Sequence, residues 1–498
     1  MQKNHIVVPA NRHQIIKDST HFLLATVIGQ GIGLIRAIFI PVIFSPAQLG
    51  IWNLMNVIMN YGGNAHLGIL HGMNKAIPLL RSQNKIEEVG LIKDNVFWLN
   101  LFLGFLASTI FWLTSLFVPA GYVFPLQIIA VVVFLQLIFY YLFSLLRADS
   151  RFKLVSQGVF AFSILSTVLI LLLAIGFTDH LLGALIGMGT AYLLVVVYLF
   201  VEGKYRFTFN MELRSIRSAF VFGVPLIIMG FLEAVLLSVD RWIIVWNLGE
   251  TSLGYYALGI MACTMIALVP GSIASVLYPR MLERHGACDN PFVLRSLFVG
   301  PTRALMALMS VLIGASVLIL PFLIRFFLPK YIPSVTVSSI LLAAAFFYSS
   351  SFIPGSFLVS INKQKHLIQI QVAMILLALI LDLAVIYIGW GIVGIAWSTA
   401  AVYTGYGCGC LFLAAYYGFE KRSDIVWFFT ETFAIFLVMI AGLALSIFII
   451  FEGSTLATAS LSVGFRLALF SLVLFPVLWW FNRNGELLAI VREVLINR

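Results

Sequence analysis

Residues 220–256 read FVFGVPLIIMGFLEAVLLSVDRWIIVWNLGETSLGYY, an apolar run long enough to cross a bilayer that also carries Glu233, Asp240 and Arg241. A charged side chain at the centre of a membrane helix costs roughly 2.5–3.5 kcal/mol. A continuous helix would place Glu233 and Asp240 on nearly the same face, about 10 Å apart. We therefore expect this face to line a hydrated or protein-lined interior. The alternative is an ion pair between Arg241 and one of the carboxylates that only joins helices.

The composition is that of a membrane protein. The chain has 498 residues, of which 61% are hydrophobic and 10% charged, with a mean hydropathy of +1.05. Apolar spans of about twenty residues recur between Ser19 and Asn482, which predicts an all-α polytopic membrane protein and excludes a soluble one. The net charge of +10 lies in short loops, where it sets orientation and does not indicate a nucleic-acid partner. The four cysteines have no metal or redox spacing, and we predict no cofactor.

The apolar pattern predicts about fourteen transmembrane helices. If the N-terminus is cytoplasmic, the inside segments hold most of the 30 lysines and arginines, whereas the outside loops hold only Lys330. The positive-inside rule then places both termini in the cytoplasm. The outside loops are only a few residues long, which argues against a membrane-embedded transferase or polymerase with an external catalytic domain.

An internal repeat divides the chain into two lobes. Arg36 precedes an LGIW segment at 49–52, and Arg241 precedes an LGYY segment at 253–256, about 205 residues further on. Each copy holds an even number of spans, so we predict two six-helix lobes related by a pseudo-two-fold axis along the membrane normal, with a lumen between them. The predicted domains are an N-lobe (19–201), a cytoplasmic amphipathic linker (202–219), a C-lobe (220–418), two further C-terminal helices (425–482) and a cytoplasmic amphipathic tail (483–498).

The second predicted span, 50–79, is the most polar. On a continuous helix, six side chains able to form hydrogen bonds share one stripe: Asn53, Asn56, Asn60, Asn64, His71 and Asn74. Lys75 lies beside the cytoplasmic end of this stripe. So many aligned polar groups favour a hydrated wall compatible with sugars, and the alternative is hydrogen bonding between helices. His66 lies off the stripe and is predicted to be a hydrogen-bonded core residue that binds no metal.

Five further charged residues lie inside or near the ends of predicted spans. Asp382 is at the middle of a span, and the sequence assigns it no role. Glu431 and Arg466 are predicted to pair with each other, while Arg303 and Arg325 are close enough to span ends to extend towards the surface. None of these residues forms a catalytic set, so we predict a carrier of a polar, anionic substrate and not an enzyme.

Several short motifs point to a known family. They are Pro225, Ser238-Val239-Asp240-Arg241, Leu248-Gly249, Leu253-Gly254-Tyr255-Tyr256, Ser45-Pro46-Ala47-Gln48-Leu49-Gly50-Ile51-Trp52, Lys330-Tyr331 and Gly391-Ile392-Val393-Gly394-Ile395-Ala396. At these residues, which extend over essentially the whole chain, the sequence resembles the polysaccharide-transporter branch of the MOP (multidrug/oligosaccharidyl-lipid/polysaccharide) exporter superfamily. This branch contains the Wzx-type O-antigen and exopolysaccharide flippases. Relatives often have Asn near Asp382, so its charge is a departure from the family pattern.

The resemblance implies a MATE-like fold whose lumen is lined by spans one, two, seven and eight. It implies that the protein flips a polyprenyl-diphosphate-linked oligosaccharide from the cytoplasmic to the outer leaflet of a bacterial inner membrane, by alternating access. This step belongs to the biosynthesis of surface polysaccharides such as the O-antigen of lipopolysaccharide. It also implies that cationic lumen residues hold the diphosphate. In similar fourteen-span lipid II flippases, the last two spans form a groove for the lipid tail.

Two pairs of residues are predicted to carry the mechanism. Arg36 and Arg241 occupy repeat-equivalent positions, and a guanidinium group can bind phosphate oxygens two at a time, so we expect both to bind the diphosphate. Glu233 and Asp240 are predicted to bind a coupling ion, H⁺ or Na⁺, during the cycle. A cation-coupled drug exporter or a lipid II flippase of the same superfamily is the alternative, and a membrane-embedded glycan polymerase or transferase is a further one.

Overall fold

The computed structural model describes residues 12–205, 207–209, 213–288, 290–448 and 456–483. These ranges contain sixteen α-helices, three short 3₁₀ helices and no strand. The α-helices are α1 (Arg12–Ile43), α2 (Pro46–Gly63), α3 (Ile69–Ser82), α4 (Ile86–Thr114), α5 (Ala120–Ala148), α6 (Phe152–Gly176), α7 (His180–Gly203), α8 (Leu213–Leu236), α9 (Val239–Ala287), α10 (Arg295–Phe327), α11 (Ser334–Ser350), α12 (Phe352–Ser360), α13 (Gln364–Ile388), α14 (Gly391–Gly418), α15 (Arg422–Phe448) and α16 (Leu456–Arg483).

The predicted fold class, an all-α polytopic membrane protein, is confirmed. Within the described ranges, ten segments are long and apolar enough to cross a membrane. One of them, Gly223–Ala287, covers two predicted spans. The other predicted spans correspond to α1, to α2 with α3, and to α14. The count of fourteen crossings and their orientation stay predictions.

The second predicted span is not one continuous helix. Helix α2 ends at Gly63, and α3 begins at Ile69 after a turn in which Gly68 has φ 84°. Gly68 is also in close contact with the backbone of Gly223 in α8, where a side chain on either residue would collide with the other's main chain. This break makes the single polar stripe wrong as predicted, because Asn53, Asn56 and Asn60 lie on α2, Asn64 lies in the turn, and His71 and Asn74 lie on α3.

A second break lies inside the charged stretch 220–256. Helix α8 ends at Leu236 and α9 begins at Val239. The predicted placement of Glu233 and Asp240 on one face of one helix is therefore wrong. Within α9, Gly249 has φ 79° and ψ 173°, a conformation that a side chain disfavours, and it separates two helical halves. This kink at Gly249 coincides with an outside loop that the sequence predicts.

The first of two compact units comprises Met1–Phe44 and Ile51–Ala234. In its described part, α6 packs along α7 and α1, and α5 packs against α4 and α7. The helices α6 and α7 approach to backbone distance, because a Cβ atom built on Gly187 would lie 2.5 Å from the carbonyl oxygen of Leu169. Small residues allow such close packing of membrane helices. Helix α8 belongs to this unit up to Ala234.

The second unit comprises Ser45–Gly50 and Val235–Arg498. Helix α11 packs against α9, α10 and α14, while α15 and α16 pack against each other and against α10. The two units therefore begin and end at different residues from the predicted lobes 19–201 and 220–418, which stay a prediction. The tail beyond Arg483 lies outside the described residues.

A buried ion pair joins α10 to α15 in the second unit. The guanidinium Nε of Arg303 lies 2.6 Å from a carboxylate oxygen of Glu431, and the two side chains are 8% and 11% exposed. Arg303 also lies over the ring of Trp427, 4.2 Å from its centroid. The predictions that Glu431 pairs with Arg466 and that Arg303 extends to the surface are therefore wrong.

The amphipathic linker predicted over 202–219 stays a prediction, and the structure describes only part of it. Its described residues 207–209 are non-helical, and α8 already begins at Leu213. Phe207 stacks on Phe97 of α4 with ring centroids 4.0 Å apart, and the indole of Trp98 donates to the carbonyl of Thr208 at 3.1 Å. The segment 207–209 is therefore attached to α4.

Asp149, after the end of α5, joins three segments of the first unit. It forms an ion pair with Arg81 of α3 and with Lys93 of α4, the latter at 2.7 Å, and it accepts a hydrogen bond from the hydroxyl of Tyr205 at 3.0 Å. Burial together with this carboxylate raises the pKa of Tyr205, which keeps the hydroxyl protonated as a donor. The Asp149 side chain is 11% exposed.

Replacement of Asp149 by alanine is expected to lower the free energy of unfolding by about 3 kcal/mol, because it leaves two cations without their carboxylate. Thermal unfolding in detergent measures this loss. Glu88→Ala is the matched control, since the Glu88 carboxylate pairs with Lys85 at 2.9 Å but both side chains are about half exposed. The control should cost less than about 1 kcal/mol. Equal losses in the two variants would contradict this account of Asp149.

Two glycines bring the first turn of α2 against α9, within the second unit. A Cβ atom on Gly50 would overlap the carbonyl oxygen of Glu250, and one on Gly254 would overlap that of Pro46. Gly50 and Gly254 occur in the LGIW and LGYY segments of the internal repeat. The glycine of each repeat copy therefore packs against the backbone four residues before the glycine of the other copy.

Gly254→Ala is expected to destabilise the protein by about 1–3 kcal/mol, because the added methyl group overlaps backbone atoms that cannot rotate away. Gly300→Ala in α10 is the control, since nothing lies within 4 Å of the position of its Cβ atom. That substitution should be neutral or slightly stabilising. Melting temperatures in detergent measure both. An unchanged melting temperature for Gly254→Ala would show that the two segments separate at little cost.

Candidate functional site

A polar cavity of about 480 Å³ lies within the first unit. It forms where α2 ends, where the chain turns into α3 and where α5 passes beside them. The cavity is polar because the break between α2 and α3 places hydrogen-bonding side chains next to one another. Its polar lining consists of Asn60, Asn64, His66, His71, Asn74, Tyr140, Ser144 and Arg147.

The turn between α2 and α3 holds two histidines at this cavity. His66 is buried, and its Nδ1 accepts a hydrogen bond from the backbone N–H of Gly68 at 3.0 Å. The exposed ring of His71 lies edge-on to it, with centroids 5.4 Å apart. His66 is thus hydrogen-bonded in the core, as expected from the sequence, and it also lines the cavity. No cluster of three metal-ligating side chains occurs in the described ranges.

The predicted asparagines divide into two groups. Asn60 and Asn64 line the cavity, and the side-chain amide of Asn64 donates to the carbonyl of Asn60 at 2.9 Å. Asn56 donates to the carbonyl of Trp52 at 2.7 Å, one helical turn back. Asn53 is buried, and its Oδ1 has no hydrogen-bond partner in the described part of the chain. Neither Asn53 nor Asn56 lines this cavity.

Sequence reasoning missed the one arginine of the cavity, Arg147. It lies in the last turn of α5, 5.7 Å from the centroid of the Phe143 ring, and it is exposed. No described carboxylate lies within ion-pairing distance of its guanidinium group. The positive-inside rule already accounts for Arg147 as a charge near a loop, so no sequence pattern singled it out as a site residue. Arg36 in α1 and Lys75 in α3 do not line the cavity.

A second polar cluster is buried in the second unit, around Asp240 at the start of α9. One carboxylate oxygen of Asp240 accepts a hydrogen bond from the backbone N–H of Arg241 at 2.8 Å. The other accepts from the hydroxyl of Tyr256 at 2.5 Å and from that of Thr399 at 3.3 Å. Asp240, Tyr256 and Thr399 are all less than 9% exposed.

Asp382 of α13 is an unpaired member of the same cluster. It is 1% exposed, and among the residues that the structure describes no hydrogen bond of ordinary geometry reaches its carboxylate oxygens, although the hydroxyl of Ser398 is close enough to interact with them. Its carboxyl group is close enough to interact electrostatically with Asp240. Two buried carboxyl groups that repel each other favour a bound proton or cation between them. The sequence placed Asp382 at mid-span, but only the packing of α13 beside α9 and α14 brings it to Asp240.

Arg241 is not paired with the adjacent carboxylate. Asp240 contacts the backbone N–H of Arg241, but no ion pair joins their side chains in the described structure. The guanidinium Nε of the half-buried Arg241 is enclosed without a hydrogen-bond partner in the same ranges. The charge of Arg241 nevertheless interacts with that of Asp240 without a direct ion pair. Glu233 lies half-buried on α8, in the other unit.

The sequence matches a known family over the region that holds the cavity and Asp240. The family is described as "Polysaccharide biosynthesis protein", and the match covers residues 42–287, about half of the chain. No curated protein sequence matches the chain significantly.

Solved structures with similar folds are transporters. An inward-facing multidrug resistance MATE family transporter of the MOP superfamily has a TM-score of 0.64 and 11% identity, and the alignment covers 84% of this chain and 98% of that one. The lipid II flippase MurJ in an inward closed conformation has a TM-score of 0.61 and 15% identity, with 92% and 99% covered. A MOP superfamily transporter from Pyrococcus furiosus has a TM-score of 0.53 and 12% identity, with 84% and 96% covered.

The class of protein follows from these comparisons. At such low identities the structural likeness shows the fold alone, and that fold is the one shared by transporters of the MOP superfamily. The resemblance to the polysaccharide-transporter branch is confirmed by the family match.

Proposed function

We propose that this protein is a flippase that moves a polyprenyl-diphosphate-linked oligosaccharide from the cytoplasmic to the outer leaflet of a bacterial inner membrane. The observation that carries the proposal is the amide-rich, cationic cavity inside an otherwise apolar helical unit. The family match to polysaccharide biosynthesis supports the substrate class, and the MOP fold supports transport without enzymatic chemistry. Both termini are proposed to be cytoplasmic.

The cavity lining suits a carbohydrate. Side-chain amides both donate and accept hydrogen bonds, as sugar hydroxyl groups do. Oδ1 of Asn74 has no hydrogen-bond partner among the described residues, so a sugar hydroxyl could donate to it. Asn60, Asn64 and His71 complete the polar lining. The cavity volume of about 480 Å³ is within the range of small-molecule sites. Asn53, Asn56 and Lys75 stay proposed substrate contacts in a conformation other than this one.

The diphosphate needs cations that are not engaged in a direct ion pair. Arg241 forms no ion pair with Asp240, and the half-buried Arg36 has no carboxylate within ion-pairing distance in the described ranges. Both are proposed to hold the diphosphate as it crosses the membrane, where it must exchange its hydration shell for fixed donors.

Coupling is proposed to involve Asp240 together with Asp382. The pair is buried, and the unsatisfied oxygens of Asp382 would be stabilised by a proton or by a monovalent cation. Hydrogen bonds from Tyr256 and Thr399 hold Asp240 in place beside it. Glu233 stays a separate candidate for coupling, on α8.

Deletion of the gene tests the proposed function against its rivals. Loss of surface polysaccharide with accumulation of the lipid-linked precursor, both reversed by the intact gene, is the expected result. A drug exporter predicts normal polysaccharide and raised sensitivity to cationic dyes. A lipid II flippase predicts arrested growth from failed cell-wall synthesis. A polymerase predicts precursors that reach the outer leaflet but are not extended.

A further inference from the structure

We infer that Arg147 is the phosphate-binding residue of the cavity in the first unit, where it receives the diphosphate of an incoming lipid-linked substrate. This inference rests on the proposed function and adds a residue that sequence reasoning had assigned only to membrane orientation. It concerns the loading of the substrate, in a cavity that neither Arg36 nor Arg241 lines.

The charge of the cavity favours an anion. Among the described residues that line it, Arg147 is the one arginine or lysine, and none is an aspartate or glutamate. No described carboxylate pairs with Arg147. Its neighbour Arg151 differs, because that guanidinium group already donates to the carbonyls of Gly203 at 2.8 Å and Glu202 at 3.2 Å. Arg147 therefore keeps its donors available for a ligand.

The surroundings of Arg147 orient its guanidinium group. Phe143, four residues earlier on α5, lies beneath the group at 5.7 Å, which restricts its motion. Ser144 is three residues before Arg147, so its hydroxyl lies on the same face of α5. His71 of α3 is close enough to interact electrostatically with Arg147. The guanidinium group of Arg147 and the hydroxyl of Ser144, from α5, thus line the same cavity as the imidazole of His71, from α3.

This donor set matches a phosphate anhydride. A guanidinium group binds two phosphate oxygens in parallel, and neutral hydroxyl and imidazole donors can serve the remaining oxygens. The asparagines further along the same cavity are placed for sugar hydroxyls next to the phosphates. The arrangement therefore fits a molecule in which a diphosphate directly precedes a sugar.

Binding to the purified full-length protein in detergent tests the inference. The probes are farnesyl diphosphate, inorganic diphosphate and farnesol, and each is titrated against wild type, Arg147→Ala, Arg147→Lys and Lys153→Ala. We expect Arg147→Ala to weaken farnesyl diphosphate binding roughly 10- to 100-fold, as the loss of a charged hydrogen bond predicts. Arg147→Lys should recover part of it, since lysine keeps the charge without the fork. Lys153→Ala, an exposed cation on the neighbouring helix α6, should bind normally.

The probes separate the two sources of a diphosphate. If inorganic diphosphate binds tightly and Arg147→Ala weakens that binding, the site recognises the phosphates alone. If the protein prefers farnesyl diphosphate, the site recognises a lipid-linked ligand. Both results support the inference. Equal affinity of wild type and Arg147→Ala would overturn it, as would equal binding of farnesol. Normal melting curves show that each variant is folded. The proposed function fails separately, if wild type binds the probe but the gene deletion leaves surface polysaccharide intact.

Discussion

Asp382→Asn is expected to abolish transport while leaving the protein as stable as wild type or more stable. The Asp382 carboxyl group is buried close to Asp240 and has at most the hydroxyl of Ser398 beside it among the described residues, so in its charged form it costs free energy. Asparagine has nearly the same shape but carries no charge and cannot take up a proton. A residue kept for stability would behave in the opposite way, because its replacement would lower the melting temperature. Transport should fall to the level of the deletion strain.

Asp240→Asn provides the internal comparison. This carboxylate accepts hydrogen bonds from Tyr256, Thr399 and a backbone N–H. Its replacement should therefore abolish transport and also lower the free energy of unfolding, by about 1–3 kcal/mol.

Asp424→Asn is the matched control for both variants. The Asp424 carboxylate forms a largely exposed ion pair with Arg295 at 3.1 Å, and its loss should leave transport unchanged. Wild-type transport by Asp382→Asn, measured as surface polysaccharide in the complemented deletion strain, would remove Asp382 from the coupling mechanism.

Arg241→Ala and Arg36→Ala are each expected to abolish surface polysaccharide at normal membrane protein levels. Neither guanidinium group is held in a direct ion pair by a described residue, although the charge of Arg241 interacts with that of Asp240. Each is instead available to replace the water that a diphosphate loses on leaving the cytoplasmic surface. Lysine at either position should restore only part of the activity, since it keeps the charge and loses the planar fork.

Arg303→Ala is the control, because it shows the effect of losing an arginine that stabilises the fold. Arg303 pairs with Glu431 in the interior of the second unit, so its loss leaves a buried carboxylate without its cation. That variant should lose about 3–5 kcal/mol of stability, and membrane protein levels should fall with activity. If Arg36→Ala and Arg241→Ala lose protein in the same way, their role is structural. If both variants stay fully active, the diphosphate is held elsewhere, and Arg147 becomes the first candidate.

The sequence predicted the membrane fold because that fold depends on local composition. Long apolar runs must form helices in lipid, whatever their neighbours, since every backbone group has to be satisfied within the segment. The two helix breaks were not predictable in this way. The break before Ile69 accompanies the contact between Gly68 and Gly223, which are far apart in the chain, and helical spacing counted through it misaligned His71 and Asn74.

Partners of buried charges were equally hard to predict. Glu431 could pair with Arg466 or with Arg303 on charge alone, and the packing of α15 on α10 decides between them. The proximity of Asp382 to Asp240 likewise depends on how α13 packs, and not on any spacing in the sequence. Two of the asparagines in the second span, Asn60 and Asn64, line the cavity, but which members of an amide-rich span do so depends on the break after Gly63 and not on composition.

Translocation by the purified protein tests the central claim most directly. The protein is reconstituted into liposomes that carry a fluorescent polyprenyl-diphosphate oligosaccharide in one leaflet, and a membrane-impermeant quencher reports its transfer to the other leaflet. We predict transfer that depends on the protein, that responds to an imposed H⁺ or Na⁺ gradient and that is lost in Arg241→Ala and Asp382→Asn. Transfer no faster than in protein-free liposomes, under either gradient and with folded wild-type protein, would contradict the account.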